Sequence, residues 1–79
     1  MLEDIYESYP EDEFLKIDGF DNACIGVDEK SMRLIYSVEK IIDVLMRDMD
    51  YEQAMEYYYF NIEGAYMGEK TPIYSFDLF

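Results

Sequence analysis

The sequence predicts an α+β fold in which a small three-stranded antiparallel sheet packs against a two-helix hairpin. Apolar residues recur at helical spacing in two runs within residues 37–64. Two β-rich runs flank the polar residues 28–31, which is typical of a β-hairpin. A third apolar run, residues 73–76, follows Pro72 and is predicted to be the closing strand.

A chain of 79 residues is long enough for one small core, so we expect a single domain spanning residues 1–79. Residues 1–13 are interpreted as an acidic N-terminal helix or extension, and residues 14–79 as a ββααβ core. In the extension Leu2, Ile5 and Tyr9 recur at helical spacing before Pro10, which disfavours the α conformation of its predecessor. A helix this short persists only when docked, and a frayed terminus is the alternative.

The strands are predicted from β-rich runs and turn residues. Residues 14–17 are compatible with a short strand, and residues 18–22 contain Asp-Gly and Asp-Asn, which favour a turn. The hairpin is placed at residues 23–27 and 32–36. Gly26 inside its first strand indicates a bulge or a close backbone approach.

The helix pair has clear start signals. Ser37 is a suitable N-cap for the first helix, and Asp50 with Gln53 can form a capping box for the second. Gly64 and Gly68 are candidate terminators. The apolar stripe of the first helix comprises Val38, Ile41, Ile42, Leu45, Met46 and Met49, and that of the second comprises Tyr51, Ala54, Met55, Tyr58, Ile62, Ala65 and Tyr66.

The charge balance is the strongest indication of function. Nineteen acidic and six basic residues give a net charge of −13, while 51% hydrophobic residues make the chain too apolar for a disordered acidic tail. This charge disfavours direct binding to nucleic acids or anionic membranes, and it would accelerate association with a basic protein. The chain has no apolar run of 18 residues, so we expect a soluble, cytoplasmic protein.

The acidic residues are concentrated near the N-terminus. Residues 1–30 have a net charge of −8, against −5 for residues 31–79. Tyr57, Tyr58 and Tyr59 are consecutive, so a helix must expose at least one of them, and exposed tyrosines are common in protein contacts. The predicted partner-binding residues are Glu3, Asp4, Glu7, Glu11, Asp12, Glu13, Asp18, Asp21, Asp28, Glu29, Tyr57 and Tyr59.

Catalytic chemistry has little support in the sequence. There is no histidine, and Cys24 lies between apolar neighbours, which favours a buried thiol. Residues 18–22 lack the ligand spacing of a calcium loop. We therefore expect a protein that is not an enzyme and uses no cofactor or metal. Asn61 and Gly64 share a helix face that is either a binding groove or a site of close packing, with Asn61 bonding a neighbouring backbone.

Several segments resemble a family of small uncharacterised proteins from tailed bacteriophages and prophages. The most specific segment is FNIEGAYMGEKTPI, residues 60–73, and the resemblance extends over about residues 18–74. The family has no established activity, so the resemblance implies a phage or bacterial cytoplasmic setting and assigns no site residue. The other matching segments are residues 19–23, 25–27, 34–36, 40–42, 45–46 and 52–57.

These features together favour an acidic phage protein that binds and inhibits a host nucleic-acid-binding protein. Carboxylates on a rigid surface can imitate the phosphates of DNA, and phage-encoded mimics act against restriction, CRISPR and transcription machinery. The alternative is a phage structural or assembly module that self-associates through apolar helical and C-terminal surfaces. A generically acidic soluble protein is the simplest alternative.

Overall fold

A computed structural model describes residues 1–76, and it confirms the α+β class. The single-domain prediction also covers residues 77–79, which lie outside the described residues. A short 3-10 turn, Asp21–Ala23, precedes the first strand. The remaining elements are α1 Leu2–Ser8, β1 Cys24–Asp28, β2 Arg33–Ser37, α2 Val38–Leu45, α3 Tyr51–Tyr57, a π-helical segment Tyr58–Glu63 and β3 Ile73–Ser75.

The sheet has the order β1-β2-β3, so the second strand of the hairpin is central. β1 and β2 are antiparallel, and the register shifts between Cys24 and Gly26. Cys24 pairs with Tyr36 and Gly26 pairs with Ile35, which leaves one extra residue on β1. The bulge predicted at Gly26 is therefore confirmed.

The prediction of a purely antiparallel sheet is wrong, because β3 runs parallel to β2. Two helical passes alone would return the chain to the end of the sheet where β2 stops, and a strand that began there would run antiparallel to β2. Residues 64–72 form neither helix nor strand, and they supply a further crossing before β3. Nine residues can span about 30 Å when extended. This exceeds the 24 and 22 Å cross-sections of the molecule.

The predicted helix starts are confirmed by their caps. The Ser37 hydroxyl accepts a hydrogen bond from the Lys40 N–H at 3.3 Å. The Asp50 carboxylate accepts from the Gln53 N–H at 2.8 Å, while the Gln53 side chain accepts from the Asp50 N–H at 3.1 Å. Helix α2 ends at Leu45, four residues before Met49, the last residue of the predicted apolar stripe. Met46 therefore lies in the turn after α2 and is exposed.

The second helix widens from α to π geometry, which the apolar pattern does not show. The Gly64 N–H donates to the Tyr59 carbonyl, five residues earlier, at 3.0 Å. Asn61 is exposed and donates its side-chain amide to the Tyr57 carbonyl of its own helix at 3.3 Å, so it does not mediate the close helix–strand packing that was one of its two interpretations. The helix ends before Gly64. Tyr66, assigned to the buried stripe, lies beyond the helix end and is 80% exposed.

The core lies between the sheet and the helices. Leu34 and Tyr36 of the central strand are fully buried, together with residues from both helices. Leu2 and Ile5 of α1 are also buried in this core, so the N-terminal helix is docked and not frayed. The other buried apolar residues are Ala23, Cys24, Val38, Ile41, Ile42, Leu45, Ala54, Tyr58 and Ile62.

The strand predicted at residues 14–17 is absent, and the segment is irregular. The Ile17 N–H donates to the hydroxyl of Tyr36 at 3.0 Å, so it binds a buried side chain and not a neighbouring strand. Phe14 packs against the rings of Tyr6 and Tyr9, with centroid distances of 6.0 and 6.4 Å. Side-chain contacts therefore hold this segment, and no strand partner is available to it.

Replacing Gly64 by alanine should destabilise the protein. A Cβ at Gly64 would lie 2.8 Å from the Tyr59 carbonyl oxygen and 3.3 Å from that of Phe60, and backbone atoms cannot easily move away. We expect a loss of about 1–3 kcal/mol, measured as a lower urea midpoint. Gly26→Ala is the control, since its Cβ meets only Ile35 at 4.0 Å. Equal losses in both variants would contradict this account.

The Tyr36→Phe variant should lose stability and part of its alkaline pH dependence. Removing the hydroxyl leaves the Ile17 N–H without its partner, at a cost of about 0.5–1.5 kcal/mol at neutral pH. Burial raises the pKa of Tyr36 from 10.0 to about 12. The folded state therefore holds this proton more tightly, and the stabilisation present below pH 10 is lost as the pH rises to 12.

Urea unfolding at several pH values measures this effect. The stability of the wild type should fall more steeply between about pH 10 and about pH 12 than that of Tyr36→Phe. Tyr51→Phe is the control, because the Tyr51 side chain is 58% exposed. Identical pH dependence in wild type and Tyr36→Phe would show that the buried hydroxyl does not contribute.

Candidate partner-binding surface

The predicted acidic residues of the N-terminal segment lie on the outside of a docked helix and the loop after it. Leu2 and Ile5 face the core, which leaves Glu3, Asp4 and Glu7 exposed on α1. Residues 11–13 are exposed in the following loop. Since α1 packs against β1, these carboxylates are attached to the folded core.

Asp18 and Asp21 are brought together around a lysine. The Lys16 amine lies 3.5 Å from the Asp21 carboxylate and 4.0 Å from that of Asp18. Both carboxylates are more than half exposed, so the ion pairs contribute little stability. They do reduce the negative charge at this end of the acidic surface.

Asp28 has a structural role in the hairpin turn. Its carboxylate accepts hydrogen bonds from the Ser31 hydroxyl at 2.7 Å and from the Lys30 N–H at 3.2 Å. These hydrogen bonds lower the pKa of Asp28. The residue is half-buried, which makes it the least accessible of the predicted partner-binding carboxylates.

Glu29 links the hairpin turn to the N-terminal segment. Its carboxylate accepts a hydrogen bond from the Tyr9 hydroxyl at 2.8 Å, which raises the pKa of Tyr9. Asp12 adds to this shift by its charge, and its N–H donates to the Tyr9 carbonyl at 3.2 Å. Acidic residues that are distant in sequence therefore lie on either side of one tyrosine.

Most of this negative charge is not neutralised. Among residues 1–76, only Asp4, Asp18 and Asp21 have a cationic group within 4.0 Å. Two of the six basic side chains bind backbone carbonyls: Arg33 donates to Thr71, and Lys70 donates to Ser31 and Met32. The acidic surface therefore retains most of its negative charge.

The two predicted partner-binding tyrosines are exposed. Tyr57 is 43% exposed and Tyr59 is 46% exposed, while Tyr58 between them is buried at 1%. The Tyr59 ring packs edge-on against Tyr58 with a centroid distance of 5.1 Å. Tyr57 borders a shallow cleft on α3, and the cleft includes Asn61, for which a binding groove was one of the two interpretations of the sequence.

The aromatic cleft is close to the acidic surface. It has a volume of about 440 Å³ and is lined by Asp48, Glu56, Tyr57, Phe60 and Asn61, among others. Asn61 also lines a second cavity of about 190 Å³ together with Asp18. Asn61 therefore borders both cavities, and the second one is also lined by Lys16. The spacing of residues 53, 56, 57, 60 and 61 in one helical face was the signal that could have revealed the cleft.

The environment of Cys24 and the placement of possible metal ligands can be described for residues 1–76. Cys24 is buried as expected, and burial raises the pKa of its thiol, which disfavours the nucleophilic thiolate. Within residues 1–76, no three His, Cys, Asp or Glu side chains are placed so that they could hold a metal ion. The exposed carboxylates of the N-terminal segment and the loops present negative charge to the solvent.

None of the helices formed by residues 1–76 has the length and apolar character needed to cross a membrane. Comparison of the chain with protein-family models, with curated proteins and with solved structures gave no match.

Screening by salt should stabilise the protein. Unpaired carboxylates repel one another in the folded state, and added ions reduce this repulsion. We expect the melting temperature to rise between about 20 mM and about 500 mM NaCl. The triple variant Glu11→Gln, Asp12→Asn, Glu13→Gln should melt higher at low salt and gain less from NaCl. A melting temperature that falls with salt would show that attractive ion pairs dominate.

Proposed function

We propose that this protein is a non-enzymatic, acidic inhibitor that binds a basic nucleic-acid-binding protein. The exposed, largely unneutralised carboxylates of residues 3–29 carry the proposal. The phage resemblance places the proposed target in the bacterial host cytoplasm, where restriction, CRISPR or transcription proteins are the candidate class.

The proposed mechanism is imitation of a phosphate backbone. Nucleic-acid-binding proteins gain much of their affinity from Lys and Arg contacts to phosphates. Glu3 and Glu7 are separated by about 6 Å along α1, which is close to the rise of two nucleotides in one DNA strand. Carboxylates attached to a docked helix can occupy the basic channel that normally holds DNA.

Docking of the acidic segment supports this mechanism. A disordered acidic tail would lose conformational entropy on binding, whereas α1 is already packed on the core through Leu2 and Ile5. The Tyr9–Glu29 hydrogen bond connects the same segment to the hairpin turn. The surface is therefore organised before it meets a partner.

Self-association as an assembly module is the second candidate function. The exposed aromatic residues favour it, because Phe60 is 76% exposed, Tyr66 80% and Phe76 57%. Exposed apolar groups of this size often mark protein interfaces. In this alternative, charge reversal at residues 11–13 should leave a concentration-dependent oligomer intact. A monomer at all concentrations in sedimentation equilibrium would argue against it.

Affinity capture from bacterial lysate at low salt tests the proposed function. The first variant carries Glu11→Lys, Asp12→Lys and Glu13→Lys. The control carries Glu39→Lys, Asp43→Lys and Glu52→Lys, which change the net charge equally at exposed positions of α2 and α3. We expect basic nucleic-acid-binding proteins on the wild type and the control, but not on the first variant.

Two further readouts make the capture experiment specific. Duplex DNA and rising salt should both release the retained proteins, because the proposed contact replaces phosphate contacts. Equal retention by the wild type and both variants would place the contact elsewhere. Retention that DNA does not displace would contradict imitation of a phosphate backbone.

A further inference from the structure

We propose that the cleft on α3 and the π-helical segment is a second contact site, which binds an arginine side chain of the basic partner. This inference rests on the proposed function for the existence of a basic partner. It goes beyond that function because the cleft uses other residues and a different chemistry from the N-terminal carboxylates.

The cleft is formed by one face of the second helix and the turn before it. Ala54, Tyr58 and Ile62 are buried in the core. The flanking face of the helix, which carries Glu56, Tyr57 and Phe60, is exposed, and the exposed fraction of Phe60 is 76%. Asp48 and Met49 from the preceding turn close one side of the cleft. Its volume of about 440 Å³ is ample for one long side chain.

The chemistry of the lining suits a cation with a planar face. Asp48 and Glu56 are exposed, and among residues 1–76 neither has a cationic group within 4.0 Å. Phe60 and Tyr57 offer aromatic faces on which a guanidinium group can stack. Lysine has the same charge, but its ammonium group is not planar. It therefore cannot stack on an aromatic ring while it donates hydrogen bonds to a carboxylate.

Asn61 gives the cleft a fixed polar group. Its side-chain amide donates to the Tyr57 carbonyl at 3.3 Å, which orients the side chain and leaves its oxygen as an acceptor. Asn61 lies within the π-helical segment Tyr58–Glu63. Such widened turns occur often at functional sites.

Charge complementarity decides between possible occupants. The net charge of −13 repels a second copy of the chain and any anionic ligand, whereas it attracts a basic segment. Asn61 also lines a neighbouring cavity that contains Asp18 and its ion-pair partner Lys16, so one acidic residue of the N-terminal surface lies near the cleft. A partner whose basic surface engages the acidic residues can therefore place an arginine in the cleft.

Amide NMR titration with an acetylated hexa-arginine peptide tests this inference, with hexa-lysine and the neutral hexa-citrulline as comparison peptides. We expect changes in the amide chemical shifts of residues 48–61 with hexa-arginine, smaller changes with hexa-lysine and none with hexa-citrulline.

Phe60→Ala and Glu56→Gln should each weaken the binding of hexa-arginine about two- to fivefold. Glu52→Gln and Tyr66→Ala are matched controls, since both residues are exposed and neither lines the cleft.

The outcomes separate this inference from the proposed function. Shifts confined to residues 3–29 would overturn the cleft while supporting the acidic surface. Shifts confined to residues 48–61 would support the cleft and count against the acidic surface. Equal weakening by Glu56→Gln and Glu52→Gln, or binding of hexa-citrulline, would overturn arginine recognition. Concentration-dependent shifts at residues 48–61 without peptide would assign the cleft to a second copy of the chain.

Discussion

Burial of Tyr36 in the central strand is the interaction on which the rest of the structure depends. Its ring is fully buried between the sheet and the helices, and its hydroxyl accepts a hydrogen bond from the Ile17 N–H. The same side chain therefore belongs to the core and holds the irregular segment of residues 14–17, which follows the acidic loop of residues 11–13. This is the hydrogen bond that joins the backbone of residues 14–18 to a residue of the sheet.

The chief constraint on this small domain is to balance electrostatic repulsion with a limited core. A net charge of −13 favours expansion, and the core contains few residues because the chain has only 79. Placing the carboxylates outside, on α1 and on loops, keeps them solvated and lowers this cost. Among residues 1–76, Lys16 is the only basic side chain within 4.0 Å of a carboxylate, and Arg33 and Lys70 bind backbone carbonyls, so basic side chains offset little of this repulsion.

Local features were predictable from the sequence. The caps at Ser37 and Asp50 and the bulge at Gly26 depend on nearest neighbours, so short patterns are sufficient to indicate them. The same is true of the exposure of Tyr57 and Tyr59 on either side of Tyr58, which follows from helical geometry. The segment at residues 14–17 was predicted incorrectly, because strand formation requires a partner that the sheet does not provide.

The sequence by itself determined the α+β class, the helix starts, the hairpin and the excess of exposed carboxylates, because periodicity, capping and charge act over a few residues. Only the tertiary structure decided the parallel pairing of β3, the hydrogen bond between Tyr9 and Glu29, and the π-helical turn that borders the aromatic cleft. Each of these depends on where distant segments meet or on how a helix adjusts to its packing. Such contacts are settled by the competition among all segments for one small core.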